Sequence, residues 1–65
     1  MDLHARRDGA RILVVDDDEV SRILAEASLR KAGYLVTSVA DAYAALNAIE
    51  DELPDLVLSD VAMPG

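Results

Sequence analysis

Arg11-Ile12-Leu13-Val14-Val15 opens the patterned part of the chain with a continuous run of aliphatic and β-branched side chains. Such a run is expected of a short strand covered on both faces. From Glu19 to Ala32 the apolar positions Val20, Leu24 and Ala27, with Ile23 and Leu29 beside them, recur at helical spacing, and Arg22, Glu26 and Arg30 are expected to face outwards. Gly33 then offers a left-handed stop. Leu35 to Val39 reads as a second strand, and Asp41 as the cap of a helix through Ala42, Ala45, Leu46 and Ile49. Glu50, Asp51 and Glu52 oppose the negative end of that helix's dipole, so the helix should fray there. Pro54 forbids continuation, and Leu56 to Ser59 forms a third strand. The order βαβαβ implies parallel strands with right-handed crossovers, one mononucleotide-type half of a doubly wound α/β sheet. Residues 1–10 read as a flexible polar leader and residues 11–65 as the domain, with no internal repeat or linker.

Composition narrows the function classes. A chain of 65 residues is one small domain at most, and a domain near this size buries only about 60% of its unfolded surface. It has no cysteine, which removes disulfides and thiolate metal sites. The leader lacks an apolar signal core and no apolar run is long enough to span a bilayer, so a cytoplasmic location is expected and a membrane partner is not. A net charge of -7 argues against a grip on nucleic-acid phosphates, and two aromatics, Tyr34 and Tyr43, are too few for base stacking. Basic partners or cations fit better. A hydrophobic share of 52% separates the chain from disordered acidic tails.

The chemistry is concentrated where strands end. The first strand runs into Asp16-Asp17-Asp18-Glu19, and the third into Asp60 before Val61-Ala62-Met63-Pro64-Gly65. If these strands lie side by side and parallel, their acids converge at the carboxyl edge, where open α/β sheets keep their binding sites. One acid of the first cluster, Asp18, suffices to cap the following helix. The others need a different explanation, because two charges about 5 Å apart repel by roughly 3 kcal/mol at an effective dielectric near 20. Either one is protonated or a cation sits among them. Carboxylates without His or Cys select a hard ion, and Mg²⁺ needs only one or two of them plus waters and substrate oxygens. Calcium fits worse, since an EF-hand loop would require glycine at the sixth position, where Ser21 stands.

At this point the chain resembles the receiver domain of two-component response regulators. The motifs that carry the likeness are Ile12-Leu13-Val14-Val15-Asp16-Asp17-Asp18 and Asp55-Leu56-Val57-Leu58-Ser59-Asp60-Val61-Ala62-Met63-Pro64-Gly65, and it covers Arg11 to Gly65. It implies the amino-terminal half of a three-layer flavodoxin-like fold with strand order 2-1-3. It further implies that Asp60 is the phosphoryl acceptor, and that magnesium is held by Asp16, Asp17, Asp60 and the backbone carbonyl of Ala62. A histidine kinase or phosphotransfer protein would be the donor in a phosphorelay. The chain would then be a phosphoacceptor signalling module rather than an enzyme, in a domain that assists its own phosphorylation and dephosphorylation. Asp17 is expected to ligate directly, and Asp16 through a water.

By the same resemblance the family's switch hydroxyl and lysine are expected beyond Gly65. Lys31 at the far end of the first helix cannot replace the lysine, nor Ser59 the hydroxyl. The outer edge of the third strand is therefore expected to pair with a carboxyl-terminal half or with a second copy. Two other readings stand beside this one. Asp16-Asp17-Asp18-Glu19-Val20 after an apolar strand also resembles haloacid dehalogenase phosphatases, with Asp16 as nucleophile and Asp18 as acid/base, although Glu19-Val20 replaces the usual Gly-Thr and Asp60 goes unexplained. The other is a receiver-like interaction module without phosphoryl chemistry. His4 reads as a solvated tail residue, Met63 as loop packing and Tyr43 as a half-exposed helix position.

Overall fold

A computed structural model describes residues 9–59 of the chain. Strand β1 spans Arg11–Val15, helix α1 Glu19–Lys31, strand β2 Leu35–Val39, helix α2 Ala42–Asp51 and strand β3 Leu56–Ser59. All three strands are parallel, in the order β2-β1-β3, which is the expected order 2-1-3. Beside β1, the register runs from Arg11 opposite Leu35 to Val15 opposite Val39 in β2. On its other edge it runs from Ile12 opposite Leu56 to Val15 opposite Ser59 in β3.

The central strand is the core. Ile12, Leu13 and Val14 are 4%, 2% and 4% exposed. Successive strand residues point to opposite faces, so burial of three in a row requires cover on both sides, and α1 and α2 each pack against β1 and β2 to provide it. Burying each such side chain contributes about 1.5–3 kcal/mol. The only other buried apolar residue among those described is Ala45, on α2.

Each helix begins and ends where its local chemistry requires. Asp18 and Asp41 are the N-caps, accepting hydrogen bonds from the amides of Ser21 and Ala44 at 2.9 and 2.8 Å. At the end of α1, Gly33 takes φ +103°. The amides of Gly33 and Tyr34 donate to the carbonyls of Arg30 and Leu29, closing a Schellman motif that the left-handed glycine makes possible. α2 runs through Glu50 and stops at Asp51, with Glu52 as its C-cap donating its amide to the Ala48 carbonyl. Strand β3 is tied in by Asp55, whose Oδ2 accepts from the Arg11 amide at 2.7 Å while its own amide donates to the Arg11 carbonyl at 2.8 Å. Arg11 also pairs with Glu52 at 2.8 Å.

One expectation fails. α1 does not turn Val20, Ile23 and Leu24 to the sheet; they are 64%, 55% and 63% exposed, and Ala27 is exposed with them. Its half-buried residues are instead Arg22, Ala25, Glu26 and Leu29, a set with the same i, i+3, i+4, i+7 spacing but centred on nearly the opposite side of the helix. Two of the residues expected to face outwards are therefore on the packed side. Their charged ends reach partners: Arg22 the carbonyl of Asp16, Glu26 the hydroxyl of Ser38 and the guanidinium of Arg30. Arg30 is exposed as expected and also donates to the carbonyl of Val36 at 3.2 Å. In α2 the expected apolar line holds at Ala45 and Ile49, whereas Ala42 and Leu46 are exposed. Tyr43 is 84% exposed, well beyond half. No helix of the described residues is long and apolar enough to cross a membrane.

Candidate functional site

The carboxyl ends of β1 and β3 meet at one edge because Val15 is the register partner of Ser59. Asp16 follows Val15 directly and is held at three points. Its amide donates to the Val39 carbonyl at 3.1 Å, extending the ladder with β2 by one residue. Its side-chain Oδ1 accepts from the Asp18 amide at 2.9 Å, and its backbone carbonyl accepts from Nη1 of Arg22 at 2.9 Å. The residue is only 8% exposed, the one buried charged residue among those described.

Asp17 is exposed. Asp18 is spent on the helix: its Oδ2 caps the Ser21 amide, and this contact with Ser21, reinforced by the nearby Arg22 guanidinium, holds its carboxyl below the ordinary value of 3.8. A hollow of about 250 Å³ opens beside Asp16, bounded by Val14 and Val15 of β1, Leu58 and Ser59 of β3, and Ser21 and Ala25 of α1. A larger one, of about 460 Å³, lies towards the opposite end of the sheet among Arg11, Tyr34, Leu35, Glu52 and Pro54, and neither Asp16 nor Asp17 lines it.

Of the residues singled out from sequence, Asp16 and Asp17 stand together at the β1 terminus. Asp60, Ala62 and Met63 lie outside the described residues, as do His4 and Pro64. Among the described residues no group of three or more His, Cys, Asp or Glu is gathered closely enough to hold a metal ion. The donor set that is described, two adjacent carboxylates of which one is exposed, suits a hard oxygen-seeking ion that keeps most of its waters. The phosphatase alternative asks Asp18 to serve as acid/base, and one oxygen of that carboxylate, Oδ2, accepts from the Ser21 amide as the cap of α1.

Arg22, which helical periodicity places towards solvent, is the residue of this site that sequence reasoning misses. A basic residue one turn into the helix that follows an acidic loop is the available signal, since its side chain can reach back to the carbonyls at the strand end.

Comparison with known proteins bears on the same residues. The family model for the response regulator receiver domain matches residues 12–65. The chain is 46% identical over 55 residues to the sensor protein GacS of Pseudomonas syringae pv. syringae, across 85% of this chain and 6% of that protein. It is 51% identical over 55 residues to the transcriptional regulatory protein YrkP of Bacillus subtilis, across 85% of this chain and 23% of that protein. With the response regulator PleD of Caulobacter vibrioides the identity is 48% over 56 residues, 86% of this chain and 12% of that protein. The chain thus spans less than a quarter of the length of each of these three relatives.

Proposed function

The chain belongs to the response regulator receiver domain family, and from that membership we propose that it is the phosphoacceptor part of a two-component relay, taking a phosphoryl group on Asp60 from a histidine kinase or phosphotransfer protein in the cytoplasm. The observation that carries this reading is the shared edge of β1 and β3: Val15 and Ser59 are register partners, and the next residue in each strand's sequence is an aspartate, Asp16 and Asp60.

In this reading a carboxylate oxygen of Asp60 attacks phosphorus, a P–O bond forms, and the bond from phosphorus to the donor's imidazole nitrogen breaks. A carboxylate is a weak nucleophile towards an anionic phosphoryl group, so charge neutralisation and in-line alignment are the main requirements. Mg²⁺, when bound, supplies that neutralisation at the phosphoryl oxygens. Asp17, Asp60 and the Ala62 carbonyl would hold the ion directly. Asp16, buried and already accepting from the Asp18 amide, is suited to ligation through a water. Asp18 takes no part in the transfer and keeps α1 started at the loop.

The test is to treat the intact protein with Mg²⁺ and acetyl phosphate, trap the acyl phosphate with borohydride, and map it by mass spectrometry. Label is expected on Asp60 and absent from Asp60→Asn. Label on Asp16 with none on Asp60 would overturn the assignment in favour of a phosphatase-like nucleophile. No label at all would leave a receiver-like interaction module.

A further inference from the structure

We propose that Arg22 is a positioning residue for the cation site, acting through the Asp16 carbonyl to set the direction in which Asp17 leaves the chain; this rests on the reading that Asp16 and Asp17 hold Mg²⁺. The contact is specific. Nη1 of Arg22 donates to the Asp16 carbonyl at 2.9 Å from a half-buried position on the packed side of α1, with Ala25 and Leu29 on the same side. The peptide bond is planar, so the Asp16 carbonyl and the Asp17 amide turn as one unit. Anchoring that carbonyl therefore fixes the peptide plane from which Asp17 leaves the chain. The amide of Asp16 is tied to β2 and its carboxylate to the Asp18 amide; among the described contacts the Arg22 bond is the one made to this carbonyl. On Asp17's other side the Asp18 amide donates to Oδ1 of Asp16 at 2.9 Å, so both peptide groups flanking Asp17 are held.

A charge effect and a positioning effect have opposite signs here. A guanidinium near a cation site repels the cation, so if Arg22 mattered only by charge, its removal would tighten Mg²⁺ binding. If it positions Asp17, its removal weakens binding, as happens when outer partners of metal ligands are lost.

The experiment is calorimetric Mg²⁺ titration of the intact protein, wild type beside Arg22→Met, Arg22→Gln and Arg22→Lys, with thermal melts in the absence of Mg²⁺. Arg22→Met, which keeps an apolar stem, is expected to bind about ten-fold more weakly. The loss should persist at about 1 M salt, where the screening length falls to about 3 Å and charge effects at longer range fade. Arg22→Lys, whose ammonium can still donate to the carbonyl, should recover most of the affinity, and failure to recover counts against the proposal. Unchanged or tighter binding by a folded Arg22→Met overturns it. If that variant does not melt cooperatively, Arg22→Gln, whose shorter amide stops short of the carbonyl, takes its place with the same two outcomes. A wild type that binds no Mg²⁺ overturns the underlying cation-site reading, whereas a wild type that binds and a variant that binds equally overturn only the role of Arg22.

Discussion

At the scale of single residues, three consecutive aspartates have three different surroundings. Asp16 is buried and tied to its neighbours, Asp17 is exposed, and Asp18 caps α1. Burial and the capping bond occupy two of the three carboxylates before any ligand arrives, leaving Asp17 as the one whose removal should be felt most by a cation. Asp17→Ala is therefore expected to weaken Mg²⁺ binding in the intact protein more than Asp18→Ala does, while Asp18→Ala should lower helical stability more than Asp17→Ala. Magnesium titration by NMR alongside thermal melts checks both halves, and equal effects of the two substitutions on affinity would refute the division of roles. That Asp18 caps the helix was legible in the sequence, because an acid three residues before Ser21 at the start of a periodic segment is a local signal. The pinning of Asp16 was not, because two of its three contacts depend on where β2 and the side chain of Arg22 come to lie.

At the scale of elements, the sheet discriminates among apolar residues that the sequence treats alike. Leu13 of β1 is 2% exposed because it has a strand on each side and helices above and below, whereas Tyr43, also apolar in bulk, rides on the outer side of α2. Leu13→Ala should cost about 2–5 kcal/mol, as other large-to-small core changes do, and Tyr43→Ala less than about 0.5 kcal/mol, as for surface positions without a special contact. Urea unfolding of the intact protein measures both. Comparable losses at the two positions would mean that Tyr43 is covered by something beyond these elements. Helix α1 shows the limit of periodicity. Its apolar residues occupy more of the circumference than three strands can cover, so the pattern identified a helix correctly while pointing to the wrong side of it. On the side that meets the sheet, Arg22 donates to the Asp16 carbonyl and Glu26 accepts from the Ser38 hydroxyl.

At the scale of the molecule, the described part has a buried apolar core of four residues, Ile12, Leu13, Val14 and Ala45, while Leu56, Val57 and Leu58 of the edge strand β3 and Val20, Ile23 and Leu24 of α1 remain exposed. That balance is poor. Ordering a chain costs roughly 1.5 kcal/mol per residue, and small cores rarely exceed it without added support. An unpaired strand edge also presents open backbone groups to other chains. The 65-residue chain on its own, kept dilute, is accordingly expected to be unfolded or partly ordered, with helical signal and apparent mass rising together as concentration increases. Far-UV circular dichroism and sedimentation across a concentration series test this, and a monomer with a cooperative melt at micromolar concentration would refute it.

The amino-acid sequence by itself determined the five elements, their order and the three devices that bound the helices, Asp18, Asp41 and Gly33: the strands through their short apolar runs, and the helix boundaries through contacts within a few residues along the chain. It also carried the family, since an apolar strand running into Asp16-Asp17-Asp18 and another running into Asp60 before Met63-Pro64-Gly65 are the motifs that resemble receiver domains, and the family model matches residues 12–65. Tertiary structure alone decided which side of α1 meets the sheet, and that Arg22 turns inwards to the Asp16 carbonyl. Those outcomes depend on non-local partners, the Val39 carbonyl, the Ser38 hydroxyl and the carboxyl end of β1. Their positions exist only once parallel strands have been brought together, and a pattern read along one helix contains no record of them.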